Sequence, residues 1–151
     1  MLGELTSEQI DHVLHHQIVG RLSCSTDGKM YIVPVTFVYD GTYIYAHSKE
    51  GLKIKMMRNN PSVCFEVDII DNLTNWRSVI LWGEYEELND LSQQKAAMKI
   101  LMDRLAPLAT SETIRPVKGI SKDPNYIDKG LKAVAYRIRV TEKTGRFEKS
   151  F

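Results

Sequence analysis

Two Asp-Gly pairs, Asp27-Gly28 and Asp40-Gly41, each sit between runs of alternating apolar residues, and they constrain this chain more than any other feature. Asp-Gly readily adopts the positive backbone angles of a two-residue hairpin turn, whose twist matches that of antiparallel strands. Residues 19–25, 30–38 and 43–47 are therefore expected to form an antiparallel meander. Pro34 interrupts the second strand. Lacking an N–H, it belongs on an edge, at a bulge, or where backbone faces something other than a strand.

The same reading extends in both directions. Thr6 and Gln9 match a capping box, with Leu5 and Ile10 as a hydrophobic staple, so a helix opens the chain and buries Ile10, Val13 and Leu14. Residues 51–60 predict a short helix that ends at Asn59-Asn60-Pro61, because proline disfavours helix in the residue before it. Val63, Phe65, Val67 and Ile69 alternate with polar residues and predict a strand with one buried face. After a loop at 71–75, a long strand spans 76–88, with Gly83 marking a bulge or bend. Asp90 and Gln93 start a further helix with Met98, Leu101 and Leu105 on one face. Residues 106–130 read as a long loop, and 133–140 as a closing strand. The expectation is one domain over residues 1–151, mainly β, with six antiparallel strands closed into a small barrel and flanked by short helices.

Composition narrows the function. Twenty Lys and Arg against nineteen Asp and Glu give a net charge of +1, which argues against a nucleic-acid binder. The charge is uneven: residues 1–114 carry ten basic and fifteen acidic side chains, and residues 115–151 carry ten and four. A basic C-terminal third could meet phosphate or an acidic partner, and a solvated surface is the favoured reading. No apolar run is long enough for a membrane span, and MLGELTSEQI is not a secretory signal, so a cytoplasmic protein is expected. Cys24 and Cys64 fall in strand-like stretches and read as reduced, buried thiols. His12 and His16 are spaced to share a metal, but no third ligand accompanies them, and they read with His15 as a polar helix face without metal. Nucleophile-elbow, P-loop, dinucleotide-binding and paired-cysteine signatures are all missing.

The segment His47-Ser48-Lys49-Glu50-Gly51-Leu52-Lys53 is more informative. A strand ends, a glycine turns the chain, and a helix begins with Lys53 in its first turn. Helix-start amides, a serine hydroxyl and an ammonium together make an anion site. Lysine there also opposes the helix dipole, which a bound anion would offset. A solvated Lys53 beside a plain serine cap is the alternative that the residues alone leave open.

In order and spacing the chain resembles the pyridoxamine 5′-phosphate oxidase-like FMN-binding split barrels, and within them the small nitroimidazole-resistance-type flavoproteins. The resemblance rests on Gly20-Arg21-Leu22-Ser23, on Tyr31-Ile32-Val33-Pro34-Val35-Thr36-Phe37, and on Ile44-Tyr45-Ala46-His47-Ser48 leading to Gly51-Leu52-Lys53. It continues through Asn59-Asn60-Pro61-Ser62-Val63-Cys64-Phe65, Trp76-Arg77-Ser78-Val79-Ile80-Leu81-Trp82-Gly83 and Thr144-Gly145-Arg146. It implies FMN as cofactor, with the backbone of Val33, Pro34, Val35 and Thr36 along the flavin ring. His47, Ser48 and Lys53 would stand at its ribityl and phosphate end, and Arg77 and Ser78 would approach from the next long strand. It also implies a homodimer with the flavin at the subunit interface, completed by partner residues in 106–120. The activity implied is electron transfer from a reduced nicotinamide to a small acceptor such as a nitroaromatic, with His47 as proton donor or as a mere hydrogen-bond partner. A non-catalytic flavin- or haem-binding module, or a dimer without ligand, uses the same barrel. In the name-giving oxidase two adjacent basic residues hold phosphate, whereas here Leu52 precedes Lys53. The segment from Arg146 to Phe151 also lacks that enzyme's arginine- and histidine-containing grip on substrate, so oxidation of pyridoxamine phosphate is not expected.

Overall fold

In a computed structural model, which describes residues 1–108 and 133–150, the chain builds one curled antiparallel sheet against three helices. Its strands are β1 (Leu2–Glu4), β2 (Val19–Thr26), β3 (Lys29–Thr36), β4 (Val38–Tyr39), β5 (Tyr43–Lys49), β6 (Ser62–Asn72), β7 (Asn75–Glu87) and β8 (Ala133–Glu148). The helices are α1 (Ser7–His16), α2 (Leu52–Asn59) and α3 (Leu91–Leu105), followed by a 3₁₀ turn at Ala106–Leu108. The strands run β3-β2-β6-β7-β8-β5-β4 across the sheet, and β1 pairs with β8. The expected mainly-β antiparallel split barrel with short flanking helices is what the chain forms. Beyond Leu108, the expected loop lies outside the described residues.

Both Asp-Gly pairs lie in hairpin turns, and the first has positive angles at both residues, the second at its glycine alone. Asp27 (φ 51°) and Gly28 (φ 79°) take positive angles in the β2–β3 turn. Asp40 closes the β4–β5 turn by accepting from the Thr42 and Tyr43 amides through Oδ1 at 2.9 and 2.7 Å, beside Gly41 at φ 101°. The capping box is present in full: Thr6 Oγ1 accepts from the Gln9 amide, and Gln9 Oε1 accepts from the Thr6 amide.

Three expectations need correction. There are eight strands rather than six, because β1 is a three-residue edge piece with no sequence period and β4 is split from β3 at Phe37. The closing strand runs to Glu148 instead of 140. Thr141 is an extra residue opposite the Trp82–Gly83 step, and this bulge breaks the alternation that sequence reading follows. Finally, the ladder does not close among the described residues: β3 and β4 end the hydrogen-bonded path, so the barrel is open along one seam.

The inner face of the sheet and two helices enclose the main core of Leu14, Leu22, Phe37, Ile44, Ile54, Phe65, Leu81, Tyr136 and Ile138. Leu5 and Ile10 close it over Gly145, as the staple requires. A second cluster lies on the outer face, where Ala97, Leu101 and Leu105 of α3 cover Tyr45, Leu88 and Ala135.

Candidate functional site

The open seam locates the site. Val38 pairs with Tyr45 and Tyr39 with Ile44. Continuing that register would set Thr36 level with His47. At Phe37, however, the chain swings away, its amide donating to the Ile18 carbonyl at 2.9 Å, and Thr36 pairs with Val19 of β2 instead. Among the described residues the strand edge carrying Val33, Pro34, Val35 and Thr36 pairs with no strand on its second side, and it neighbours β5 across the split. Pro34 sits where its missing N–H costs no ladder bond.

The β5–α2 corner forms the other wall. Alternation turns Ser48 inward, where it is buried, and His47 outward beside Ala135. Ser48 does not cap the helix. Its hydroxyl donates to the Lys49 carbonyl at 2.8 Å, and the cap position belongs to Gly51, which has no side chain to offer. The first turn of α2 holds no acidic residue and starts with unsatisfied amides. Its other end is clamped. Asn60 Nδ2 donates to the Ser25 carbonyl at 3.0 Å and Asn59 Nδ2 to Thr26 Oγ1, while Arg58 pairs with Glu87 at 2.7 Å and with Glu50. The Asn-Asn-Pro motif thus anchors α2 to β2.

Lys53 is half-buried and makes no ion pair with any described residue. Burial pushes its pKa down, opposed by the nearby Cys24 thiol. Burial also lowers the pKa of His47, and the Lys53 ammonium lowers it further. Two cation-forming groups and a helix start, with no carboxylate among their described partners, suit an anion with several oxygens.

Sequence reasoning missed the floor of this corner. Cys24 is buried with its pKa raised by desolvation, and it acts electrostatically on Lys53 and on Tyr136. The Tyr136 hydroxyl is wholly buried and has no hydrogen-bond partner among the described residues. Nothing in the local pattern around position 136 signals this, because the strand reads as ordinary core. Cys64, expected to be buried, is only partly so: it lies beside Ser23 on the outer face while Cys24 points inward, which keeps the two thiols apart.

Arg77 and Ser78 stand elsewhere. Ser78 donates to Glu66 Oε2 at 3.0 Å, and Arg21 holds Glu66 at 3.4 Å and Asp68 at 3.1 Å. Burial, followed by the neighbouring Asp68, raises the Glu66 pKa. Leu88, whose amide binds the Ala135 carbonyl level with His47, is separated from Ser78 by about 30 Å of strand. One chain therefore gathers Val33, Pro34, Val35, Thr36, His47, Ser48 and Lys53 around the split and leaves Arg77 and Ser78 apart. Among the described residues no group of three or more His, Cys, Asp or Glu side chains is arranged to hold a metal, and no helix is long and apolar enough to cross a membrane.

A family model described as pyridoxamine 5′-phosphate oxidase matches residues 6–147. The chain belongs to that family. An uncharacterized protein of Rhizobium meliloti is 34% identical over 84 residues, spanning 56% of this chain and 56% of that relative. The matched stretch is thus little more than half the relative's length. Among solved structures, an FAD-binding protein from Mesorhizobium loti is 31% identical, with TM-score 0.78 and coverage of 99% of both chains. A candidate 5-nitroimidazole antibiotic resistance protein from Bacteroides thetaiotaomicron shares the family fold at 19% identity, with TM-score 0.71, covering 97% of this chain and 87% of that one.

Proposed function

We propose that this protein is a flavin-binding oxidoreductase that passes electrons from a reduced nicotinamide to a small acceptor. One observation carries the reading: among the described residues the start of α2 has no side-chain cap, Lys53 has no ion pair and acts on the half-buried His47 ring, and the β5 strand that carries His47 lies next to the open edge of β3. These residues fit a phosphorylated flavin. Lys53 and the first amides of α2 hold the phosphate, and the β3 edge at Val33, Pro34, Val35 and Thr36 lies along the ring. FMN needs no more than this. The family's FAD-binding relative makes FAD the direct comparison. A bound flavin supplies the hydride and electron chemistry, which protein side chains lack. His47 holds or releases a proton at an imidazole nitrogen, with its pKa already below the ordinary value.

The separation of Arg77 and Ser78 from the seam favours a homodimer in which each site receives them from the second copy. The test is an absorbance and fluorescence titration with FMN and with FAD, followed by oxidation of a reduced nicotinamide with nitroaromatic, quinone and oxygen acceptors. Binding with turnover supports the whole reading. Binding without turnover reduces it to a flavin module, and failure of both flavins to bind overturns it.

A further inference from the structure

Among the described residues, the groups that surround His47 are these. On β5 its same-face neighbours are Tyr45 and Lys49, and across the ladder on β8 stand Ala135 and, one pair away, Arg137. Arg137 is committed to Glu86 at 2.8 Å and lies 4.1 Å from the centre of the Tyr43 ring. Beyond Ala135 lies Leu88 at the end of β7, and α3 contributes Ala97, Leu101 and Leu105. Glu50 and Glu87 are both engaged by Arg58. Among the described residues only Lys53 of α2 acts electrostatically on the imidazole, and it repels a proton there.

We propose that occupancy of the β5–α2 corner by a phosphate-bearing ligand is coupled to uptake of a proton by His47, so that the site holds its ligand more tightly below neutral pH than above it. The inference rests on the flavin reading and names how that site is regulated. In the empty corner, burial and the ammonium keep the ring neutral. A neutral imidazole has one acceptor nitrogen, which repels a phosphate oxygen, whereas the protonated ring donates from both. An opposite charge within about 4–6 Å favours the protonated form by a factor of about ten to a thousand. The phosphate therefore reverses the bias that Lys53 sets. An ordinary amine titrates well above neutrality, whereas an imidazole titrates near it, so the coupling is assigned to His47.

The sign follows from linkage. Between the empty-site and occupied-site pKa values of His47, binding takes up a proton, so affinity falls as pH rises through that window. The second ionisation of a phosphate monoester, near pH 6, acts in the opposite sense below that value. The clean range is therefore about pH 6.5–8.5.

FMN is titrated by fluorescence quenching across this range against wild type and His47→Gln, with riboflavin as the ligand lacking phosphate. Calorimetry at pH 7.5 in two buffers of different ionisation heat measures protons taken up. The wild-type Kd for FMN should rise about tenfold between pH 6.5 and 8.5, with net proton uptake. His47→Gln should change less than about twofold, and riboflavin should be flat in both. An FMN affinity independent of pH in wild type, or an undiminished slope in His47→Gln, overturns the coupling. If the variant does not fold, proton uptake by wild type decides alone. Tight FMN binding without a slope leaves the flavin reading standing, whereas no binding of FMN or FAD at any pH removes both.

Discussion

In the proposed site Lys53 binds and His47 moves a proton, and their substitutions are the way to separate binding from chemistry. An ammonium on a phosphate in a partly shielded site contributes about 1.5–3 kcal/mol. Lys53→Ala should weaken FMN about ten- to a hundredfold in a fluorescence titration while leaving riboflavin unchanged; equal losses would remove Lys53 from the phosphate. His47→Phe should slow acceptor turnover about ten- to a thousandfold if the ring moves a proton, with a smaller loss of flavin affinity. Steady-state assays at matched flavin occupancy measure both. The same ring makes the empty protein acid-sensitive. Its folded pKa lies below the ordinary value of 6.5, so on acidification the unfolded chain takes the proton first. That part of the stability is complete above about pH 6.5 and is lost as pH falls through the folded value. Denaturant midpoints between pH 5 and 7.5 should show this, and His47→Gln should flatten the dependence. Both residues were legible in the sequence, since they flank a strand end and a glycine turn. Their isolation from every described carboxylate was not, because it depends on where Glu50 and Glu87 go, and Arg58 takes both.

Whole elements are fixed by small local devices. Thr6 closes α1 through a reciprocal pair of bonds, so Thr6→Ala should cost about 1 kcal/mol in a denaturant melt. Gly83 is a question of close approach rather than of backbone angle. A Cβ there would collide with the Arg139 carbonyl oxygen and meet Ile138 Cγ2 at 2.7 Å, at the level where β8 carries its extra residue. Gly83→Ala should cost about 1–3 kcal/mol, since backbone cannot yield as a side-chain tip does. Gly83 gave a correct warning of irregularity in the sequence. The extra residue itself, Thr141, sits on the facing strand, whose polar run from Thr141 to Thr144 hides the continuation to Glu148.

At the scale of the molecule, the outer sheet face aligns Ile32, Ser23, Cys64 and Trp82 in one register row, with Ile80 in the next. Ile32 is 66% exposed and Trp82 38%, so this row leaves large apolar side chains in the open. In the proposed homodimer a second copy would cover this face and bring Arg77 and Ser78 to a site. Light scattering at micromolar concentration should report a dimer. Trp82→Glu should shift it toward monomer and weaken FMN in parallel. A wild-type monomer that binds FMN with full affinity would refute the shared site.

The sequence by itself determined the six main strands, the two Asp-Gly hairpins, the capped first helix and a start of α2 that carries Lys53 after a glycine. Each is a property of a few neighbouring residues: a turn that needs positive φ, a period of two, a cap, a lysine after a glycine. Only the tertiary structure decided that the barrel stays open between β3 and β5. The reason is a bend: Phe37, whose amide goes to the Ile18 carbonyl, separates β3 from β4, so the β4–β5 register is not continued to Thr36 and His47. Tertiary structure also decided that Ser48 points inward, that Cys24 and Tyr136 underlie Lys53, and that Ser78 belongs to Glu66 on the far part of the sheet. Those outcomes depend on which strand or helix comes to lie alongside, and no local pattern of residues encodes that neighbour.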